Sequence, residues 1–263
     1  MKKSNIILPA LFISLAITQP AMASFKEHFD LGQQYLSNFQ YSGAITEFKN
    51  AMRINYLDNS ARIGLINAYC ARAQYFAEKE QNYQKAADDY RSALFYLLYY
   101  PNANAVKNSS SAIVQVTSNL NSCLSAINFN TSPQNRFNTA KQLRAEGEFA
   151  AAAYEFNQAL GDKNLIKESF EQTGDIMKLL GNDQKAAEYY RKAVAVAPED
   201  IDLRMSYAKV LDKLGASDTA VEEYNYVLTR TTDNKDILYS LERIYKKKLE
   251  ESPNDATVTS NLG

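Results

Sequence analysis

Gly147, Gly181 and Gly215 stand 34 residues apart, and five further columns keep the same step. They are Ala152, Ala186 and Ala220; Phe156, Tyr190 and Tyr224; Ala159, Ala193 and Val227; Ala140, Gly174 and Ala208; and Leu143, Met177, Leu211 and Tyr245. Six columns at one period confine the chain to an array of like units, because each unit has to offer the next the same packing surface.

Each unit reads as two helices. In Ile201 to Leu214 the residues Leu203, Tyr207, Val210, Leu211 and Leu214 fall on one stripe at helical spacing. Gly215-Ala216-Ser217-Asp218 breaks that helix: Gly215 supplies a left-handed stop, and Ser217 or Asp218 caps the next helix. Thr219 to Thr229 follows, with Ala220, Tyr224 and Val227 on one face. Gly181-Asn182-Asp183 serves the same turn one unit earlier, and Pro198 ends that unit's second helix. Ala140, Gly174 and Ala208 sit where the paired helices cross, with Ala152, Ala186 and Ala220 opposite. Small residues there allow the axes to approach to about 8–10 Å. Phe156, Tyr190 and Tyr224 then fill the wedge toward the next pair.

The pattern resembles the tetratricopeptide repeat. Leu31, Gly32, Tyr35, Ala44, Phe48 and Ala51 match that signature in the first unit, and Gly174, Ala186, Tyr190, Ala193 and Pro198 match it in another. The usual early tryptophan is missing; His28, Arg136, Phe170 and Arg204 occupy its place. The resemblance runs from Phe25 to Glu251 and is weakest in the middle. It implies an all-α helical-hairpin solenoid, a right-handed superhelix with one irregular central unit.

The irregularities locate themselves by register. Ala44, Phe48 and Ala51 recur as Ala86, Tyr90 and Ala93, 42 residues on, so the second unit carries about eight extra residues, placed in a longer first helix from Ser60 to Lys79. Asn102 to Asn130 is a degenerate unit, with Val106, Ile113, Val116, Leu120, Leu124 and Ile127 on one stripe; it reads as one long helix or a poorly closed pair. Ser132 as cap and Pro133 in the first turn restart the array. Asp236 to Glu250 is a further helix with Leu238, Leu241 and Tyr245 inward. The expected organisation is a leader at 1–23, N-terminal units at 24–101, a joint at 102–132, C-terminal units at 133–251, and the start of an incomplete unit at 252–263.

Residues 1–23 have the grammar of a secretory signal peptide: the basic start Lys2-Lys3, an apolar run from Ile6 to Ile17, and a small-x-small end at Ala21-Met22-Ala23. The run is too short for a spanning helix, which needs about 20 residues. Cleavage after Ala23 is expected, giving a periplasmic or secreted chain with no membrane span. The whole chain carries 29 basic and 30 acidic residues. Loss of Lys2 and Lys3 leaves 27 basic against 30 acidic, a formal charge of -3. No field of either sign favours nucleic acid.

No pattern of catalytic or metal-binding chemistry emerges, and no cofactor is expected. His28, the one histidine, lies on the first helix where a large residue packs, without a nucleophile or orienting partner in view. Cys70 and Cys123 either pair in an oxidising compartment or sit as two small buried residues on separate helices. The run Tyr96 to Tyr100 is either core at a unit boundary or a partner-binding patch.

The resemblance further implies that the first helices of successive units line a concave groove that takes a segment of a partner protein. In this register the groove carries Lys141 and Arg144, then Glu168, Glu171 and Asp175, then Asp202, Lys209 and Lys213. The family's lysine-and-asparagine clamp for C-terminal carboxylates is not supported, because Phe29 and Gln33 stand in its first two places. The function expected is a non-catalytic protein-interaction scaffold of the bacterial envelope; the alternative is the docking arm of a larger envelope enzyme whose catalytic domain lies beyond Gly263.

Overall fold

The computed structural model describes residues 24–100, 109–231 and 235–251. The expected leader at 1–23, the expected incomplete unit at 252–263 and Val106 of the central stripe lie outside the described residues. Among the described residues there are twelve α-helices and no strand. Five helical hairpins are formed by α1 (Phe25–Ser37) with α2 (Tyr41–Ile54), α3 (Asn59–Glu78) with α4 (Tyr83–Leu98), α6 (Pro133–Ala145) with α7 (Phe149–Gln158), α8 (Ile166–Leu179) with α9 (Asp183–Val196), and α10 (Ile201–Lys213) with α11 (Ser217–Leu228). Two helices lack a described partner of this kind, α5 (Ser109–Ala126) and α12 (Lys235–Glu251).

The small-residue columns are the helix crossings. Ala140, Ala152, Ala186, Ala208 and Ala220 are all fully buried. Phe48 shows how the large residues fill the wedge between units. A Cβ on Gly32 of α1 would lie 2.9 Å from its ring, and a Cβ on Gly64 of α3 would lie 2.5 Å from it. One aromatic ring thus seats in glycine sockets on two successive first helices.

Every first helix that is followed by a turn ends the same way. The residue after the stop donates its N–H back to the last turn: Gln40 to Tyr35, Phe129 to Leu124, Glu148 to Leu143, Asn182 to Met177 and Ala216 to Leu211, each five residues back, and Asn82 to Phe76, six back. This closure requires a left-handed residue one position earlier. Gly147, Gly181 and Gly215 fill that position with φ of 84°, 77° and 76°. Phe39, Gln81 and Asn128 do so in the first, second and central units, with φ of 59°, 51° and 51°.

That signature identifies the central unit. α5 ends in a first-helix stop at Asn128, yet Ser132 caps α6 only four residues later, with Pro133 at the first helical position. The joint is therefore a first helix whose second helix is missing, and α5 packs on α4 through Val116, Leu120, Cys123 and Leu124. α7 packs directly on α4 across the joint. α7 is covered on every side, and α4 is covered beyond its exposed first turn as far as Leu97, so neither keeps a continuous polar face there. α7 buries Ala150 to Ala153 consecutively, and α4 buries everything from Asp89 to Leu97. Tyr96, Leu97 and Tyr100 are core at this boundary, as the first of the two readings of that run has it.

Several expected details are corrected. The long first helix of the second unit spans Asn59–Glu78 with Asp58 as cap. α11 begins at Ser217, with Ala216 at the cap position and no side-chain capping bond, because alanine offers no side-chain acceptor to the first-turn N–H groups. Leu214 is 40% exposed and Leu238 is 52% exposed. In α12 Leu241 and Tyr245 are buried as expected, and Ile237 and Ile244 complete the stripe in place of Leu238. Cys70 on α3 and Cys123 on α5 are free thiols, and burial pushes Cys70 up to about 12 and Cys123 up as well.

Candidate interaction face

The place of the missing tryptophan explains the charges on the first helices. Arg204 on α10 donates from Nη1 to Glu223 Oε2 on α11 at 2.6 Å, and Arg136 on α6 donates to Glu155 Oε2 on α7 at 2.9 Å. His28 Nδ1 on α1 lies 2.6 Å from Glu47 Oε2 on α2. In the remaining 34-residue unit, Phe170 meets Tyr189 with ring centres 6.2 Å apart. The two arginines also donate from Nε to backbone carbonyls just upstream, Arg204 to Pro198 and Arg136 to Thr131. Each therefore fastens two helices and the turn leading into the hairpin, which a tryptophan would do by bulk alone.

Glu155 is doubly engaged. It is fully buried and accepts from Arg136 on one oxygen and from Arg91 Nε of α4 on the other, at 2.5 Å. Arg91 is fully buried too, donates to Asp88 at 2.6 Å, and lies over the Phe129 ring at 4.9 Å. This network joins the two blocks. Burial pushes the Asp88 carboxyl up to about 6, although Arg91 opposes the shift.

The predicted groove residues lie on α6, α8 and α10, and the structure pairs most of them. Lys141 approaches Glu168 at 4.0 Å, with side chains 58% and 45% exposed. Arg144 Nη2 bonds Asp175 at 3.3 Å and also contacts Gln172. Asp175 accepts from the Tyr190 hydroxyl at 2.5 Å; burial and this bond together raise the Tyr190 pKa. Glu171 pairs with Lys167 at 3.0 Å, and the same lysine reaches Asp200 at 2.7 Å. Burial opposes ionisation of Asp200, but Lys167 and the Leu203 N–H hold its carboxyl below the usual value. Lys213 turns away to Asp183 on α9, at 2.7 Å. Asp202 and Lys209 are exposed and have no ion-pair partner among the described residues. A cleft of about 450 Å³ between α6 and α8 is lined by Lys141, Arg144, Ala145, Glu168 and Gln172. The members of the predicted face that stay available are thus Lys141, Glu168, Asp202 and Lys209, while Arg144, Glu171, Asp175 and Lys213 are engaged within the array.

Sequence reasoning missed three things. Lys167, which joins α8 to the start of α10, had no signal beyond its charge. Arg91 and Glu155 were not singled out, and only the unbroken alanine run of α7 signals that a second helix covers it. The third is an aromatic cleft beside the first turn, where Phe39 stands at the register position of Gly147, Gly181 and Gly215.

Stacked two-helix units, small-residue crossings and a recurring left-handed stop define a class: the chain folds as an all-α helical-hairpin solenoid of the tetratricopeptide type, with one irregular central unit. Similar solved structures include that from a functional characterization of Pseudomonas aeruginosa pilF, at 18% identity and TM-score 0.39, covering 90% of this chain and 88% of that one. Another is PilW, a widely conserved type IV pilus biogenesis factor, at 15% identity and TM-score 0.38, covering 82% and 98%. A third is the TPR2AB domain of yeast Sti1 in complex with pHSP90, at 10% identity and TM-score 0.35, covering 90% and 96%. No protein-family model and no curated protein matches the chain.

Proposed function

We propose that this chain is a non-catalytic scaffold of the bacterial envelope, exported after cleavage at Ala23, that holds a segment of a partner protein against the face formed by α6, α8 and α10. The observation that carries the reading is the state of the charges on that face. Lys141, Glu168 and Lys209 project from three successive first helices, exposed and at most weakly paired, while the neighbouring charges fix the helices to one another. A rigid row of alternating charge selects a partner by complementary charge and register rather than by apolar area. A polar contact of this kind depends on salt, because exposed ion pairs are screened within about 8 Å at physiological ionic strength.

The experiment is affinity capture from an envelope extract with the mature chain, 24–263, and with the variant Glu168→Lys plus Lys209→Glu. The reading expects a protein captured by the first and lost from the second at equal melting temperature. Identical captured sets would overturn it. Intact mass of the protein from its native host tests export: a mature chain begins at Ser24, whereas a mass that includes residues 1–23 contradicts it.

A further inference from the structure

We infer that the cleft at the tips of the first two hairpins is a second binding site, for an extended, acidic, proline-containing segment of another protein. The cleft exists because α3 runs for 20 residues where α1 has 13 and α8 has 14. The overhanging end of α3, from Arg72 to Lys79, faces the α1–α2 turn across a volume of about 840 Å³.

Phe39 marks this cleft as more than a packing flaw. It holds φ at 59°, a left-handed backbone that a bulky residue rarely adopts, and the residue is 77% exposed. The same stop is glycine at 147, 181 and 215 and a polar residue at Gln81 and Asn128; Phe39 alone among the described stops is apolar. An exposed phenylalanine there forgoes both the relaxed backbone of glycine and the burial of its ring. Uncompensated backbone outliers of this kind concentrate at functional positions.

The ring is not isolated. Phe39 meets Tyr41 at 6.4 Å between ring centres, and Tyr41 meets Tyr75 at 6.2 Å. Two residues of a polyproline-II segment advance about 6.2 Å, so successive prolines of such a segment match this ladder. Aromatic-lined grooves take polyproline segments because these enter already ordered. The hydroxyls of Tyr35, Tyr41 and Tyr75 make no hydrogen bond among the described residues and are available to the carbonyls of such a segment.

Charge fixes the sign of the partner. The cleft wall carries Arg72 and Lys79 and no carboxylate. Arg72 is committed to Asp89, by a bidentate pair at 2.8 and 2.7 Å, and to Ser42 at 2.9 Å. Lys79 is exposed and has no ion-pair partner among the described residues, and Lys85 lies 5.2 Å from the Phe76 ring centre. Lys79 is thus the unpaired positive charge on the cleft wall, with Lys85 nearby over the Phe76 ring.

The test uses fluorescence anisotropy with the mature chain and a fluorescein-labelled dodecapeptide of Asp-Pro-Tyr-Pro repeats, against a Lys-Pro-Tyr-Pro control. Saturable binding of the acidic peptide is expected, stronger than that of the basic one. Phe39→Gly and Tyr75→Ser each weaken it by about tenfold or more, and Lys79→Glu reverses the preference. Phe39→Gly also raises the melting temperature, which separates a lost contact from a lost fold. No binding, equal binding of both peptides, or unchanged affinity in Phe39→Gly and Tyr75→Ser would overturn the proposal. So would a concentration-dependent dimer abolished by Phe39→Gly, which would assign the cleft to a second copy of the chain. The site rests on the scaffold reading only in taking a protein as partner. Glu168→Lys leaves peptide binding here unchanged, so the two surfaces fail separately.

Discussion

Arg204 and Glu223 close the α10–α11 hairpin with a 2.6 Å hydrogen-bonded ion pair whose side chains are each 14% exposed. The same 19-residue relationship joins Arg136 to Glu155 and His28 to Glu47. A double-mutant cycle on Arg204→Ala and Glu223→Ala, read by urea unfolding, should give a coupling of about 1–2 kcal/mol, within the range for residues in direct contact. Arg204→Ala alone should cost more than Glu223→Ala, because it also releases the Pro198 carbonyl and the Tyr226 ring, 3.7 Å from the guanidinium. Additive effects would show the pair to be incidental.

The buried contact between Arg91 and Glu155 makes a sharper demand. Removing one partner leaves a charge in the core, so Glu155→Leu should destabilise the protein by about 3–5 kcal/mol. Adding Arg91→Met should recover part of that loss by removing the fully buried guanidinium, while Arg136 and Asp88, each partly exposed, turn to solvent. Denaturant unfolding of the single and double variants decides it; a double variant no better than the single contradicts the account of the α4–α7 junction.

Asp88 gives this junction a pH dependence. Its carboxyl is raised to about 6 by burial, from an ordinary value of 3.8. Between those values the folded chain keeps a proton that the unfolded chain has released. The contribution is therefore stabilising at low pH and lost as pH rises through about 6. Going from about pH 4.5 to about pH 7.5, the wild type should lose on the order of 2 kcal/mol relative to Asp88→Asn. Parallel stability curves for the two proteins would contradict the burial assigned to this carboxyl.

Ala186 tests the register read from the columns. It is fully buried at the α8–α9 crossing, where Gly174 faces the Tyr190 ring at 3.0 Å from a would-be Cβ. Ala186→Leu should cost about 1–3 kcal/mol by overpacking. An unchanged thermal unfolding curve would place the crossing elsewhere.

The parts of the fold legible in the sequence are those set by local geometry repeated in register. The stops at Gly147, Gly181 and Gly215, the crossings at Ala140, Ala186 and Ala208, and the Ser132–Pro133 restart each follow from one residue's steric or capping requirement. What was illegible depends on contacts across units. That α7 lies on α4, and buries Arg91 and Glu155 between them, cannot be read from either helix alone. Nor can the direction of a charge: Glu171, Asp175 and Lys213 sit where a groove residue should, but nearer partners at Lys167, Arg144 and Asp183 claim them. Phe39 occupies the register position of the glycine column in the first unit, but its left-handed backbone and its exposure are set by the fold and are not written in the residue type.

Site-specific photo-crosslinking in the native host tests the central claim most directly. A benzoylphenylalanine placed at Glu168 or at Lys209, on the proposed face, should yield one discrete adduct with another protein. The same residue at Lys192, exposed on the second helix α9, should yield none. Adducts at Lys192 with none at Glu168 and Lys209 would contradict the assignment of the first-helix face as the surface that holds a partner.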